Sequence, residues 1–247
     1  MLAGLQKTTL VNFPRRVAAA VFLPGCNMRC PYCHNAELAL ASPSSFTANP
    51  ESSNDYYELS EIYTFLERRK NLISGLVISG GEPFMSPALF ELIERAKSLN
   101  LAVKIDTNGL FPERIEEILS SPNLQPDMIA LDLKTSPERY GDLLASKTDS
   151  AAEKAKTALL KTLDILKSNT EKTEVEYRTV LAPYLVSEDE IKKIASLLPK
   201  TARWRLAQFV PGACLAPEWN SVEPYPLSQA QAFTATAKSL IPDTELR

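Results

Sequence analysis

Cys26, Cys30 and Cys33 fall within eight residues, in the run GCNMRCPYCHN, and are three of only four cysteines in the chain. Three thiols on one short loop can face a common centre, and thiolate is a soft donor that suits zinc or an iron–sulfur cluster. Disulfides fit poorly, because three clustered thiols leave one odd and the N-terminus shows no export pattern. A closed structural zinc site takes four protein ligands. Only Cys214 or His34 could supply the fourth, and His34 directly follows Cys33, an awkward place for binding the same ion. Cys30-Pro-Tyr-Cys33 also reads as a redox pair of glutaredoxin type, but that fold is much shorter and leaves Cys26 unexplained. The remaining reading is a 4Fe–4S cluster on three thiolates. Such clusters ordinarily take four, so one iron stays open to an outside ligand, and an open iron means chemistry.

Six short, nearly continuous apolar runs must position that loop: Val17–Leu23, Leu76–Ser79, Leu101–Ile105, Met128–Leu133, Val175–Leu181 and Arg203–Phe209. Runs without strict alternation predict parallel strands covered on both faces. Between them, Leu59, Ile62, Tyr63 and Leu66 recur at helical spacing, as do Leu89, Leu92, Ile93 and Ala96, and Ile191, Ile194, Ala195 and Leu198. Ser86-Pro87 reads as an N-cap with proline at the first helical position. Ala151–Ser168 and Leu227–Leu240 complete the helices, and Ser42–Asn54 reads as a surface loop. Alternation of strand and helix predicts an α/β fold. Six units fall short of the eight that close a barrel, so the expectation is an open partial (β/α)6 barrel of parallel strands with outer helices, residues 1–247 forming one domain.

Unusual polar residues cluster where such a barrel builds its site, at the C-terminal strand ends. Ser79-Gly80-Gly81-Glu82-Pro83 follows the second strand, Asp106-Thr107-Asn108-Gly109 the third, and Asp132 with Lys134 ends the fourth. Arg178 lies inside the fifth and Gln208 near the end of the sixth. Gly80-Gly81 lets backbone approach a ligand closely, or is simply a tight turn. Asp106 and Asp132 suit a ligand ammonium or a cation, or else cap turns. Lys134 could meet a carboxylate or be merely solvated. Arg178 needs a partner inside an apolar strand, and Glu176, two residues away on the same face, is the obvious structural one. His34 is the single histidine and is not read as a catalytic base; Tyr56, Tyr57 and Trp204 read as packing, and Cys214 as a plain thiol.

The whole chain has 247 residues, 45% hydrophobic and 23% charged, with a net charge of −3. That is ordinary globular composition; no apolar run approaches the roughly 20 residues of a membrane span, and the slight acidity argues against nucleic acid as a partner. The expectation is a soluble cytoplasmic protein, with neither membrane nor nucleic acid among its partners.

CNMRCPYCHN followed by ISGGEPF resembles the radical S-adenosylmethionine (SAM) superfamily. With GLQKTTLVNFPRRVAAAVFLPGCN, DTNG, ALDLK and WRLAQFVPG, the pattern is most similar to the glycyl-radical-enzyme activases, above all the activators of anaerobic ribonucleoside-triphosphate reductase. That resemblance implies that Cys26, Cys30 and Cys33 hold a single 4Fe–4S cluster whose open iron takes the amino and carboxylate groups of SAM. It implies that the Tyr32 backbone touches the adenine, that Gly80, Gly81 and Glu82 line the amino group, and that Asp106 accepts from it. Lys134 and Arg178 would neutralise the carboxylate and the neighbouring ribose region, and Asp106, Thr107 and Asp132 could frame a small monovalent-cation site. The reaction it implies is reductive cleavage of SAM to methionine and a 5′-deoxyadenosyl radical, which takes a hydrogen from a glycine of a partner enzyme, with flavodoxin or ferredoxin as electron donor. Gln208-Phe209 stands where the pyruvate formate-lyase activator has Tyr-His, which argues against pyruvate formate-lyase as the partner. The alternatives are a radical SAM enzyme acting on a small molecule, as the deazaguanine synthases do, and a zinc-bound binding module.

Overall fold

Ala18-Ala19-Ala20-Val21-Phe22-Leu23 has nothing polar to show to water, and it is the second strand of an α/β fold. The computed structural model describes residues 1–42 and 56–247, in two compact units. All but Ser42 of the loop expected over Ser42–Asn54 lies outside the described residues.

The first unit comprises Met1–Asn27, Glu37–Thr107 and Arg114–Ile129. Its strands are β1 (Leu2–Thr9), β2 (Ala18–Leu23), β3 (Tyr56–Glu58), β4 (Gly75–Gly80) and β5 (Ala102–Thr107), in the order β3-β1-β2-β4-β5. β1 runs antiparallel to both β2 and β3, while β2, β4 and β5 are parallel. Phe13, Ala18, Ala20, Val77, Ala102 and Met128 pack as one core cluster. Here lie α1 (Ala36–Leu40, from its second residue on), α2 (Leu59–Arg69), α3 (Leu89–Ser98) and most of α4 (Pro112–Ser120). Register places the two candidate loops together: Leu23 pairs with Gly80, so the cysteine loop and the GGEP loop leave the sheet side by side.

The second unit, Met28–Ala36, Asn108–Glu113 and Ala130–Arg247, carries the end of β6 (Met128–Asp132), then β7 (Glu174–Leu181), β8 (Arg203–Gln208) and β9 (Thr244–Leu246), in that order. β7, β8 and β9 are parallel. Its helices are α5 (Asp149–Lys167), α6 (Glu188–Leu197) and α7 (Leu227–Leu240). Thr148 caps α5 by accepting from Ala151 N at 3.2 Å, and Ser187 caps α6 by accepting from Glu190 N at 3.3 Å.

All six apolar runs are strands, and the sheet is not closed. Two of the shifted boundaries bear on the candidate site. β5 runs on through Asp106 and Thr107, so both lie on the strand rather than after it. Ser86 does not cap α3: its hydroxyl accepts from Ala88 N at 3.2 Å, closing a turn through Pro87, and the helix begins at Leu89. That short side-chain bond competes with the helical ladder and delays it.

Glu190 is buried in the first turn of α6. Burial would raise its pKa, but Lys193 Nζ at 2.8 Å, Ser136 N at 2.8 Å and the Thr135 hydroxyl at 2.9 Å outweigh burial and pull it from 4.5 to about 2. The stabilisation is complete above 4.5 and drains away as the pH falls through about 2. Glu190→Gln is expected to cost about 2 kcal/mol at neutral pH and to flatten that acid limb, which urea unfolding across the pH range measures.

Candidate active site

In the first unit the GGEP loop is stitched to the start of the cysteine loop. Gly81 N donates to Leu23 O at 2.9 Å and Glu82 N to Gly25 O at 2.7 Å, continuing the ladder between β2 and β4 past the strands. A Cβ on Gly81 would lie 2.1 Å from Gly25 O and 3.3 Å from the Cys26 Cβ; on Gly80, whose φ is +120°, it would lie 2.3 Å from Leu23 N and O. The close approach expected of these glycines is therefore made to the chain's own backbone. The Gly25 amide in turn donates to Leu38 O at 2.7 Å, giving α1 a part in fixing the residue before Cys26.

Glu82 is fully buried. Its Oε1 accepts from Phe84 N at 3.1 Å and from the Thr107 hydroxyl at 2.9 Å, which ties the GGEP loop to the end of β5. Two residues that the sequence did not single out complete this half. Arg114 donates to the Phe84 carbonyl and holds the loop from behind. Lys104, buried on β5, is ion-paired with Asp106. A lysine in the run Ala-Val-Lys-Ile-Asp was the available signal, since a buried ammonium demands a partner.

In the second unit the later part of the cysteine loop hangs on two segments. Arg29 N donates to Leu143 O at 2.6 Å beside a bridge between Met28 and Leu144. Leu215 N donates to Cys33 O at 2.9 Å and Ala216 N to Pro31 O at 3.0 Å, while Cys33 N turns back onto Cys30 O at 3.0 Å. Cys214 is buried at the start of that second segment and its amide donates to Asn220 Oδ1 at 2.9 Å. Tyr32 is buried, its ring 5.8 Å from that of Trp219. Burial, then the neighbouring Cys30, pushes the Tyr32 hydroxyl well above its ordinary pKa. His34 is spent on the Val210 carbonyl at 2.8 Å, Gln208 on the Tyr225 carbonyl at 3.0 Å, and Trp204 on the Thr179 hydroxyl at 3.0 Å.

Asp132 sits between two cations, Arg178 Nε at 2.7 Å and Lys134 Nζ at 2.8 Å. Burial alone would raise its pKa; Arg178 and Lys134 outweigh that and hold the carboxyl well below its usual range. Burial likewise opposes the charge on Lys134, but Asp132, then Tyr32 and Cys30, keep the ammonium charged far above the ordinary lysine range. The expected partner of Arg178 is corrected here. Glu176 is buried and takes Arg247 at 2.8 and 3.2 Å, because the chain end after β9 delivers a guanidinium to it. Arg178 meets Asp132 instead, its carbonyl accepting from Leu133 N at 2.8 Å. Lys134 is likewise held in place rather than merely solvated. Asp132 thus fixes the positions of two cationic side chains, a residue type that can meet a ligand carboxylate.

Among the described residues no cysteine is in a disulfide. Cys26 belongs to the first unit, Cys30 and Cys33 to the second, and among the described residues of neither unit do three His, Cys, Asp or Glu side chains gather as metal ligands. Three soft thiols on one loop, Cys30 buried and the others half-buried, form a donor set whose chemistry fits an iron–sulfur cluster.

The family model of the radical SAM superfamily matches residues 20–198, from β2 to just past the end of α6. The chain belongs to the radical SAM superfamily. Members of that superfamily use a 4Fe–4S cluster and SAM. A Methanocaldococcus jannaschii protein provisionally named a glycyl-radical enzyme activating enzyme is 30% identical over 100% of this chain and 95% of its own length. The pyruvate formate-lyase-activating enzyme of Clostridium pasteurianum is 24% identical over 84% of this chain and 80% of its own. Among solved structures, Streptococcus suis SuiB bound to S-adenosylmethionine shares the fold, with a TM-score of 0.63 at 15% identity, covering 92% of this chain and 51% of that one. These homologues mark this radical SAM protein as an enzyme, and its α/β fold with open parallel strands is the fold of the superfamily. No helix among the described residues is long and apolar enough to cross a membrane.

Proposed function

We propose that this radical SAM enzyme activates a glycyl radical enzyme, with anaerobic ribonucleoside-triphosphate reductase as its partner. The observation that carries the glycyl-radical reading is the likeness to a protein named for glycyl-radical activation along the full chain, at 30% identity; the choice of the reductase rests on the sequence resemblance alone. Cys26, Cys30 and Cys33 are proposed to hold one 4Fe–4S cluster. When bound and reduced, that cluster supplies the electron that splits SAM into methionine and a 5′-deoxyadenosyl radical.

The chain's own residues bind and orient. Arg178 and Lys134, each held at its angle by Asp132, face the carboxylate of SAM. Asp106 and Glu82 present carboxylate oxygens towards the amino group; Glu82 is kept in one orientation by Thr107 and Phe84 N. Gly80 and Gly81 serve by holding the GGEP loop against Leu23 and Gly25, which sets where Glu82 stands. The Tyr32 backbone receives the adenine, in a segment pinned by Ala216 N on Pro31 O. Buried Tyr32, Phe209 and Trp219 make an apolar wall that keeps water from the loop. The same reading makes residues 1–247 one catalytic domain, places it in the cytoplasm, where thiols stay reduced, and takes flavodoxin or ferredoxin as the donor.

Mixing the anaerobically reconstituted enzyme with SAM, a reductant and anaerobic ribonucleotide reductase is expected to give a glycyl-radical signal by electron paramagnetic resonance. Cleavage of SAM without that signal, with the reductase shown intact, would overturn the choice of partner.

A further inference from the structure

The monovalent-cation site expected from Asp106, Thr107 and Asp132 does not fit the residues present. An alkali ion is a hard cation that gathers oxygens and offsets their negative charge. On β5, the Asp106 carboxylate already carries the ammonium of Lys104, two residues back on the same face of the strand. The Lys104 side chain is 2% exposed and that of Asp106 14%. In the second unit, Asp132 is already neutralised by Arg178 and Lys134.

We infer that Lys104 is a built-in cation: its ammonium takes the place of a dissociable monovalent ion at Asp106 and fixes that carboxylate's orientation. Three features of the pair support this. An ammonium is a compact point charge, unlike the broad guanidinium, so it can stand where a small monovalent ion would. It is tethered by the strand, so no ion need be gathered from solution. It is also buried, and a buried lysine is retained only where an anion answers it. Lys104 is thus a positioning residue acting through Asp106. This role rests on the proposed function, in which Asp106 faces the amino group of SAM, yet its readout needs no SAM cleavage, so the two can fail separately.

The test is the melting temperature of the reconstituted holoprotein in potassium, sodium or choline chloride at matched ionic strength, choline being too large to enter. The native chain is expected to melt alike in all three. Lys104→Met is expected to melt roughly 10 °C lower in choline, having lost one partner of a buried pair, and to recover part of that loss in potassium or sodium. The double variant Lys104→Met/Asp106→Asn, with no carboxylate left to serve, is expected to ignore the cation. Should Lys104→Met fold in none of the salts, Lys104→Gln, which keeps a hydrogen bond but no charge, takes its place in the same comparison. A native protein that melts higher in potassium or sodium than in choline overturns the inference. So does a folded Lys104 variant that melts alike in all three.

Discussion

Cys30→Ala is expected to fold, to bind less iron on anaerobic reconstitution, and to release no 5′-deoxyadenosine above the protein-free background. Cys30 is the buried thiol of the three, and its carbonyl receives Cys33 N. Alanine keeps that backbone turn and removes only sulfur, so the fold loses about 1 kcal/mol of packing while the donor set loses a third of its ligands. Iron analysis and mass spectrometry read the two effects separately. A Cys30→Ala protein that still cleaves SAM would remove this residue from the site.

Gly81→Ala is expected to produce a large loss of stability for a single added methyl. The new carbon would lie 2.1 Å from the Gly25 carbonyl oxygen, an atom that itself accepts from Glu82 N at 2.7 Å. Backbone cannot swing aside as a side chain does, so the loop must part from Gly25 and give up that bond. Overpacking of this kind together with a lost hydrogen bond costs about 3 kcal/mol, a fall in melting temperature of roughly 6–12 °C at this size. The damage also reaches the chemistry, because Cys26 is the next residue after Gly25. Calorimetry and iron content should therefore fall together. A variant with native stability would mean that the two loops are not stitched as described.

The sequence was most legible where one residue type answers one physical need. Continuous apolar runs such as Val17–Leu23 and Leu76–Ser79 gave the parallel strands, because strands covered on both faces have no polar side to show. β1 was not legible: Gln6, Lys7 and Thr8 are exposed, so half of it reads as a polar loop. β3 and β9, three residues each, are too short for any period to register. Within the site, the positions of Gly80, Gly81, Asp106, Asp132 and Arg178 were readable as odd residues near strand ends, but their partners were not. Glu176 stood two residues from Arg178, yet its cation is Arg247, from the far end of the chain. Long-range pairing of that kind leaves no trace in local spacing. Lys104 is the contrary case: its partner Asp106 stands two residues away in an apolar run, so the signal was there to read.

The central claim, that this chain cleaves SAM reductively, is tested most directly by following 5′-deoxyadenosine by mass spectrometry. Anaerobically reconstituted protein would be given SAM and a strong reductant, with and without the proposed partner reductase. The account predicts 5′-deoxyadenosine and methionine in equal amounts, dependent on the reductant. Colourless protein carrying stoichiometric zinc, or a fully loaded cluster that yields no 5′-deoxyadenosine even with the partner present, would contradict it.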